Sequence, residues 1–157
     1  MAKIPSELVE FVESGVSILV CTASADLRPE ATRGAGAKVA PDREHVSIWL
    51  AESWGARALA DVREAGVIAV GFSRLLDNTS IQLKGDGAVA LDASPEDRAF
   101  LERYRASYVE QLYLAGLPRS LTSRMHLWPA KVVRFRVRDI FVQTPGPGAG
   151  ARLEAGR

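Results

Sequence analysis

Glu30-Ala31-Thr32-Arg33-Gly34-Ala35-Gly36-Ala37-Lys38-Val39 is a β-rich run that carries two cations and two glycines where a strand interior is expected to be apolar. Pro41-Asp42-Arg43 turns the chain, and His45-Val46-Ser47-Ile48-Trp49-Leu50 follows as an apolar run. Two such runs joined by a short polar turn are the signal of an antiparallel meander. That reading sets the fold class, and the neighbouring segments extend it.

Upstream, Leu8, Val9, Phe11 and Val12 give a short helix an apolar face, and Gly15 ends it. Val16–Ala23 is the first strand and Asp26-Leu27-Arg28-Pro29 a turn, which makes Glu30–Val39 the second strand and His45–Leu50 the third. Downstream, Trp54–Glu64 reads as a helix, Val67–Phe72 as a fourth strand, and Ser80–Leu91 as a fifth with a bulge at Gly85-Asp86-Gly87. Ser94-Pro95-Glu96-Asp97 is a strong helix start, with serine at the cap, proline in the first turn and acids beside the positive end of the helix dipole. That helix runs to about Ala115 with Phe100, Tyr104, Tyr108 and Leu112 on one stripe, a core-facing or partner-facing pattern. Lys131–Gln143 is a sixth strand, in which Val133, Phe135 and Val137 alternate with Arg134, Arg136 and Arg138, one buried face and one wet face. The expected fold is mainly β (α+β): a six-stranded antiparallel barrel with flanking helices. It is a single domain over residues 1–143, followed by a Pro/Gly-rich tail, residues 144–157, whose last residues are expected to be mobile.

Composition excludes several classes. The 157 residues carry a formal net charge of +1, so no global basic field exists for nucleic acid or a membrane surface. The N-terminus lacks the apolar core of a signal peptide, and no apolar stretch approaches the ~20 residues of a membrane span. Cys21 is the only cysteine; it fits a reducing, cytoplasmic setting and is expected to be a buried structural thiol. His45 and His126 have no metal-ligand spacing, so no metal is expected. No nucleophile elbow, Walker A loop or dinucleotide fingerprint is present, and Gly34 and Gly36 sit in an antiparallel context that rules out a Rossmann turn.

What remains is an anion seat. A guanidinium inside a strand must find a partner or reach water, and Gly34 and Gly36 strip side chains so that a flat ligand can approach the backbone. Arg57 is expected in the first turn of the next helix, where free N–H groups and the helix dipole attract an anion. Arg33 and Arg57 are thus candidates to clasp one phosphate. The competing reading pairs them with Glu30, Glu52 or Asp61 on an ordinary barrel.

The order Arg33-x-x-x-x-Lys38, turn, apolar strand, Arg57 at a helix start, and Ser80-Ile81-Gln82-Leu83-Lys84-Gly85 resembles the pyridoxamine 5′-phosphate oxidase-like, FMN-binding split-barrel family, over roughly Leu8 to Gln143. The resemblance implies a split barrel that forms homodimers with FMN at the subunit interface. It implies cofactor contacts from Arg33, Gly34, Ala35, Gly36 and Lys38, from Leu50 and Ala51 beside the ring, from Arg57 at the phosphate, and from Ser80 or Gln82. The implied activity is two-electron redox chemistry on a small molecule, with NAD(P)H as a candidate reductant. Alternatives within the same fold are a non-catalytic flavin or haem carrier and a deazaflavin (F420)-dependent reductase. The family's substrate-phosphate pattern, Tyr-x-x-x-Arg-x-x-x-Ser, is not met by Phe100–Tyr108, so oxidation of pyridoxamine phosphate itself is not expected. No catalytic side chain is assigned.

Overall fold

The computed structural model describes residues 2–153. A helix α1 (Ser6–Glu13) precedes β1 (Ser17–Ala23), β2 (Pro29–Arg33), β3 (Gly36–Val39) and β4 (His45–Ala51). Helix α2 (Glu52–Ala65), β5 (Ile68–Ser73), β6 (Ser80–Asp92), α3 (Pro95–Leu114), α4 (Arg119–Thr122) and β7 (Ala130–Val142) complete it. All strand pairs are antiparallel, in the order β2-β1-β5-β6-β7-β4-β3.

The two outer strands of that order, β2 and β3, are consecutive stretches of one run. Gly34 N–H donates to Ile18 O, continuing the pairing with β1, and Ala35 N–H donates to Trp49 O, opening the pairing with β4. The sheet therefore curls until its ends meet at Gly34-Ala35. The expected second strand is real but bent there, and six strands by sequence become seven ladder segments. β2 pairs only with β1 and β3 only with β4, so each keeps one unpaired edge.

Alternation fills the interior. Ile18 and Val20, Val46, Ile48 and Leu50, Val70 and Phe72, Ile81 and Leu83, and Val133, Phe135 and Val137 are all buried in one core, the period-2 pattern of strands with one face inside. Arg134, Arg136 and Arg138 point outward, as the sequence predicts. The bulge is also found: the β6–β7 register shifts at Lys84/Gly85 and again between Asp86 and Val89.

Helix α2 packs on β1, β2 and β6, where Thr22 Oγ1 donates to Asp61 Oδ2 (2.7 Å) and Thr32 Oγ1 donates to Trp54 O (3.1 Å). Helix α3 begins with a complete capping box between Ser94 and Asp97. It covers a second, smaller core outside the barrel, made of Ala35, Trp49, Leu101, Leu127, Ala130 and Val132. The tail departs from expectation. After turns over residues 144–150 it returns along the end of β7: Leu153 N–H donates to Ile140 O and Val142 N–H to Ala151 O. Residues 151–153 of the segment expected to be mobile, Ala151 to Arg157, are therefore paired, and residues 154–157 lie outside the described residues.

Candidate functional site

Arg33 and Lys38 are five residues apart, an odd spacing that would put them on opposite faces of a regular strand. The bend prevents this. Thr32 pairs with inward Val20 and Ala37 with inward Ile48, so the outward residues are odd-numbered before the bend and even-numbered after it. Arg33 and Lys38 therefore both face out. Between them the outer face is covered by α3. A Cβ on Gly36 would lie 2.8 Å from Leu101 Cδ2 and 3.2 Å from Phe100 Cε1, and one on Gly34 would lie 2.5 Å from Ile18 Cγ2. The space left beside Arg33, Gly34 and Ala35 is about 10 Å³, no more than one water. The two glycines thus serve packing within the chain, and a flat ligand has no room against residues 34–36. This corrects the seat expected there.

The paired-guanidinium clasp is corrected too. Helix α2 starts at Glu52, two residues earlier than expected, so Arg57 is its sixth residue and lies beyond the first turn with its free N–H groups. Arg57 Nε contacts Glu30 Oε2 at 3.3 Å, and its side chain is 80% exposed. Glu30 pairs with Thr22 and faces the barrel end, the opposite side of β2 from Arg33. Arg33 instead donates to Ser17 Oγ (3.0 Å) and to Tyr108 Oη, with its guanidinium 5.6 Å from the Tyr108 ring centroid. Within one chain the two do not converge. Leu50 and Ala51 are fully buried and offer no side chain to a ligand.

Three expected residues do share a surface. Arg33 pairs with Leu19, Leu19 with Gly71, Gly71 with Gln82, and Gln82 with Phe141. Directly opposed residues project to the same face, so these five form one cross-strand row on the outside of the barrel. The neighbouring row holds Ser17, Ser73 and Ser80, with Ser80 Oγ donating to Ser73 Oγ at 2.8 Å. Three strand steps of ~4.8 Å separate Arg33 from Gln82, about 14 Å. The floor between them is Leu19, 50% exposed, and Gly71. The other flanking row contains Cys21, half-buried rather than internal, and Lys84; burial pushes the Cys21 thiol pKa up, which keeps it protonated and unreactive.

Leu19 and Gly71 were not singled out by sequence. Gly71 is unlike the other strand glycines. A Cβ there would meet only Leu19 O at 3.9 Å and Leu19 Cβ at 4.0 Å, ordinary contacts, and it is not among the residues of positive φ. Nothing in its own chain requires glycine, which costs a strand about 0.5–1 kcal/mol relative to alanine. A strand glycine of this kind leaves room for a group to approach the backbone from outside. The signal legible in sequence was only a glycine inside the apolar run Val67–Phe72.

A curled antiparallel sheet with a bent strand and flanking helices is the split-barrel fold. No protein-family model matches the sequence, and no curated protein matches it. Solved structures match the fold. One, from Lactobacillus delbrueckii and provisionally assigned as a pyridoxamine 5′-phosphate oxidase, has a TM-score of 0.57 at 13% identity, over 89% of this chain and 94% of that one. HupZ of Group A Streptococcus gives 0.57 at 16% identity, covering 94% and 99%. An F420 reductase gives 0.56 at 9%, covering 87% and 98%. At these identities the likeness is one of fold. Among the described residues no cluster of metal-ligating side chains exists, and no helix is long and apolar enough to cross a membrane.

Proposed function

We propose that this chain is an FMN-binding flavoprotein that performs two-electron redox chemistry on a small molecule, and that the outer row from Arg33 to Gln82 carries the cofactor. The observation that carries this reading is Gly71, a strand glycine with no contact in its own chain that requires it, which leaves the outer row flat. The row fits a flavin in kind: Leu19 and Gly71 form a flat apolar floor for a ring, Arg33 supplies a cation for the phosphate, and Gln82 and Ser80 supply polar groups for a ring edge. Bound FMN would provide hydride acceptance and donation. The chain's own part is to hold and orient it, and no side chain of the row is a general acid or base at neutral pH. A ring lying on Leu19, which is half exposed, keeps one face in water unless something covers it. We assign that cover to a second copy of the chain, making a homodimer with the cofactor between the copies. Solved neighbours that include a provisionally assigned oxidase and a reductase support the redox reading over a structural one.

Titration with FMN followed by visible absorbance tests it. The expected result is stoichiometric binding, weakened about tenfold or more in Arg33→Ala and in Gln82→Ala, the loss of one hydrogen bond to a charged or ring-edge group. A protein with no measurable flavin affinity overturns the reading. Mixing the loaded protein with NADH or NADPH then separates an oxidoreductase, whose flavin bleaches, from a carrier, whose flavin does not.

A further inference from the structure

The geometry points to a second anion site, on the opposite wall of the barrel, built by Lys38, Arg43 and Arg134 for a phosphate-class dianion. Lys38 on β3 pairs with Ser47 on β4, and Ser47 pairs with Arg134 on β7. One outward row therefore carries a cation, a hydroxyl and a cation, with the end residues about 10 Å apart at two strand steps. With Arg43 from the β3–β4 turn they line a groove of about 660 Å³, whose remaining wall includes Val9, Ala40 and Pro41.

The charges in this groove are not balanced from within. Arg136 pairs with Asp86 and Arg138 with Asp139, whereas Lys38, Arg43 and Arg134 make no ion pair among the described residues. Glu13 is the one carboxylate lining the groove, and its Oε1 accepts from Val39 N–H at 2.8 Å. The turn acid Asp42 is directed to His45 and to the N–H groups of Glu44 and His45. Three like charges facing one groove repel each other, and a dianion between them relieves that cost.

Arg43 adds a second observation. Its φ of 59° is in the left-handed region, where glycine or asparagine is the unstrained choice and another residue costs of order 1 kcal/mol or more. The turn is held in that shape by Arg43 N–H to Ala40 O and Ile4 N–H to Arg43 O, both 2.8 Å. That shape carries the Arg43 side chain at the rim of the groove. The groove lies apart from the row of Arg33 and Gln82, with α3 covering the strand between, so Lys38 belongs to this site and not to the flavin floor.

The test needs no flavin, so it stands or falls separately from the cofactor reading. Orthophosphate and phenyl phosphate are titrated into the full chain by calorimetry at low ionic strength. Saturable binding of either is expected, with the tighter ligand showing whether the dianion is free or borne on an organic group that packs on Val9 and Pro41. Arg134→Gln should weaken binding about tenfold or more. Arg43→Gly should do the same while keeping or raising Tm, because glycine relieves the turn. Absence of binding, or binding in the two variants as tight as in the unsubstituted chain, would each overturn the assignment of this site.

Discussion

Glycine within a strand can be there for two opposite reasons, and only contacts distinguish them. Gly85 is filled from inside: a Cβ would lie 2.1 Å from Phe135 Cδ2 and 2.7 Å from Arg136 O. Gly85→Ala should therefore destabilise the fold by roughly 1–3 kcal/mol or more, since a backbone oxygen cannot step aside as a side chain can. A thermal melt should show Tm lowered by about 2–4 °C per kcal/mol for a chain of this size; an unchanged Tm would mean the barrel relaxes there. Gly34 and Gly36 looked like ligand glycines in the sequence, but Ile18 and Leu101 fill the space over them. Those partners are remote in the chain, so local spacing could not reveal them. Gly71 sits in an apolar run with nothing unusual around it in sequence. Residue identity was legible at all these positions, while the reason for it was three-dimensional.

Among the elements, α3 was the most fully legible. Ser94, Pro95 and Asp97 announce its start, and the capping box forms as the spacing implies. The stripe Phe100-Tyr104-Tyr108 packs inward, with Tyr104 buried. Its hydroxyl donates to Val12 O at 3.0 Å and Val16 O at 3.3 Å, and burial drives its pKa far upward, so it stays a neutral donor. Ser107 Oγ and Gln111 Nε2 bond the carbonyls of Ser14 and Gly15, so the helix is fastened to the α1–β1 turn mainly by polar contacts. Tyr104→Phe should cost about 1 kcal/mol and speed hydrogen exchange in residues 100–114; unaltered exchange would show that Leu101 packing alone holds α3. The start of α2 was misplaced because its cap residue, Ala51, carries no capping side chain. The loop after β5 sets an acid limit. Arg74 and the Thr79 backbone hold the Asp77 pKa down from 3.8 to about 2, and the N–H of Glu44 together with His45 does the same for Asp42. A carboxylate depressed in the folded state stabilises it above the ordinary value, and that contribution disappears as pH falls from near 4 toward 2. Asp77→Asn should flatten the fall in Tm across that window, and an unaltered slope would place the acid sensitivity elsewhere.

At the scale of the whole molecule, the antiparallel meander was readable from runs and turns, but closure was not. It depends on one residue of bend at Gly34-Ala35, which hands the chain from β1 to β4 and reverses which parity faces out. That reversal brings Arg33 and Lys38 to one face and gives the barrel two separate outward rows, with α3 between them. Arg57 is kept from Arg33 by ordinary alternation instead: its partner Glu30 stands three residues before Arg33 and so on the opposite side of β2. The open row of Arg33, Leu19, Gly71 and Gln82 is the surface on which the functional account depends. If it pairs two copies, sedimentation at micromolar concentration should give a dimer, and a strict monomer would leave the flavin's second face uncovered. The most direct test is an FMN titration of Gly71→Val, read by quenching of flavin fluorescence beside a thermal melt. A Cβ there makes only ordinary contacts and valine favours a strand, so Tm should hold or rise while flavin binding falls at least tenfold with loss of the flat floor. Native flavin affinity in a well-folded Gly71→Val protein would contradict the claim that this row holds the cofactor.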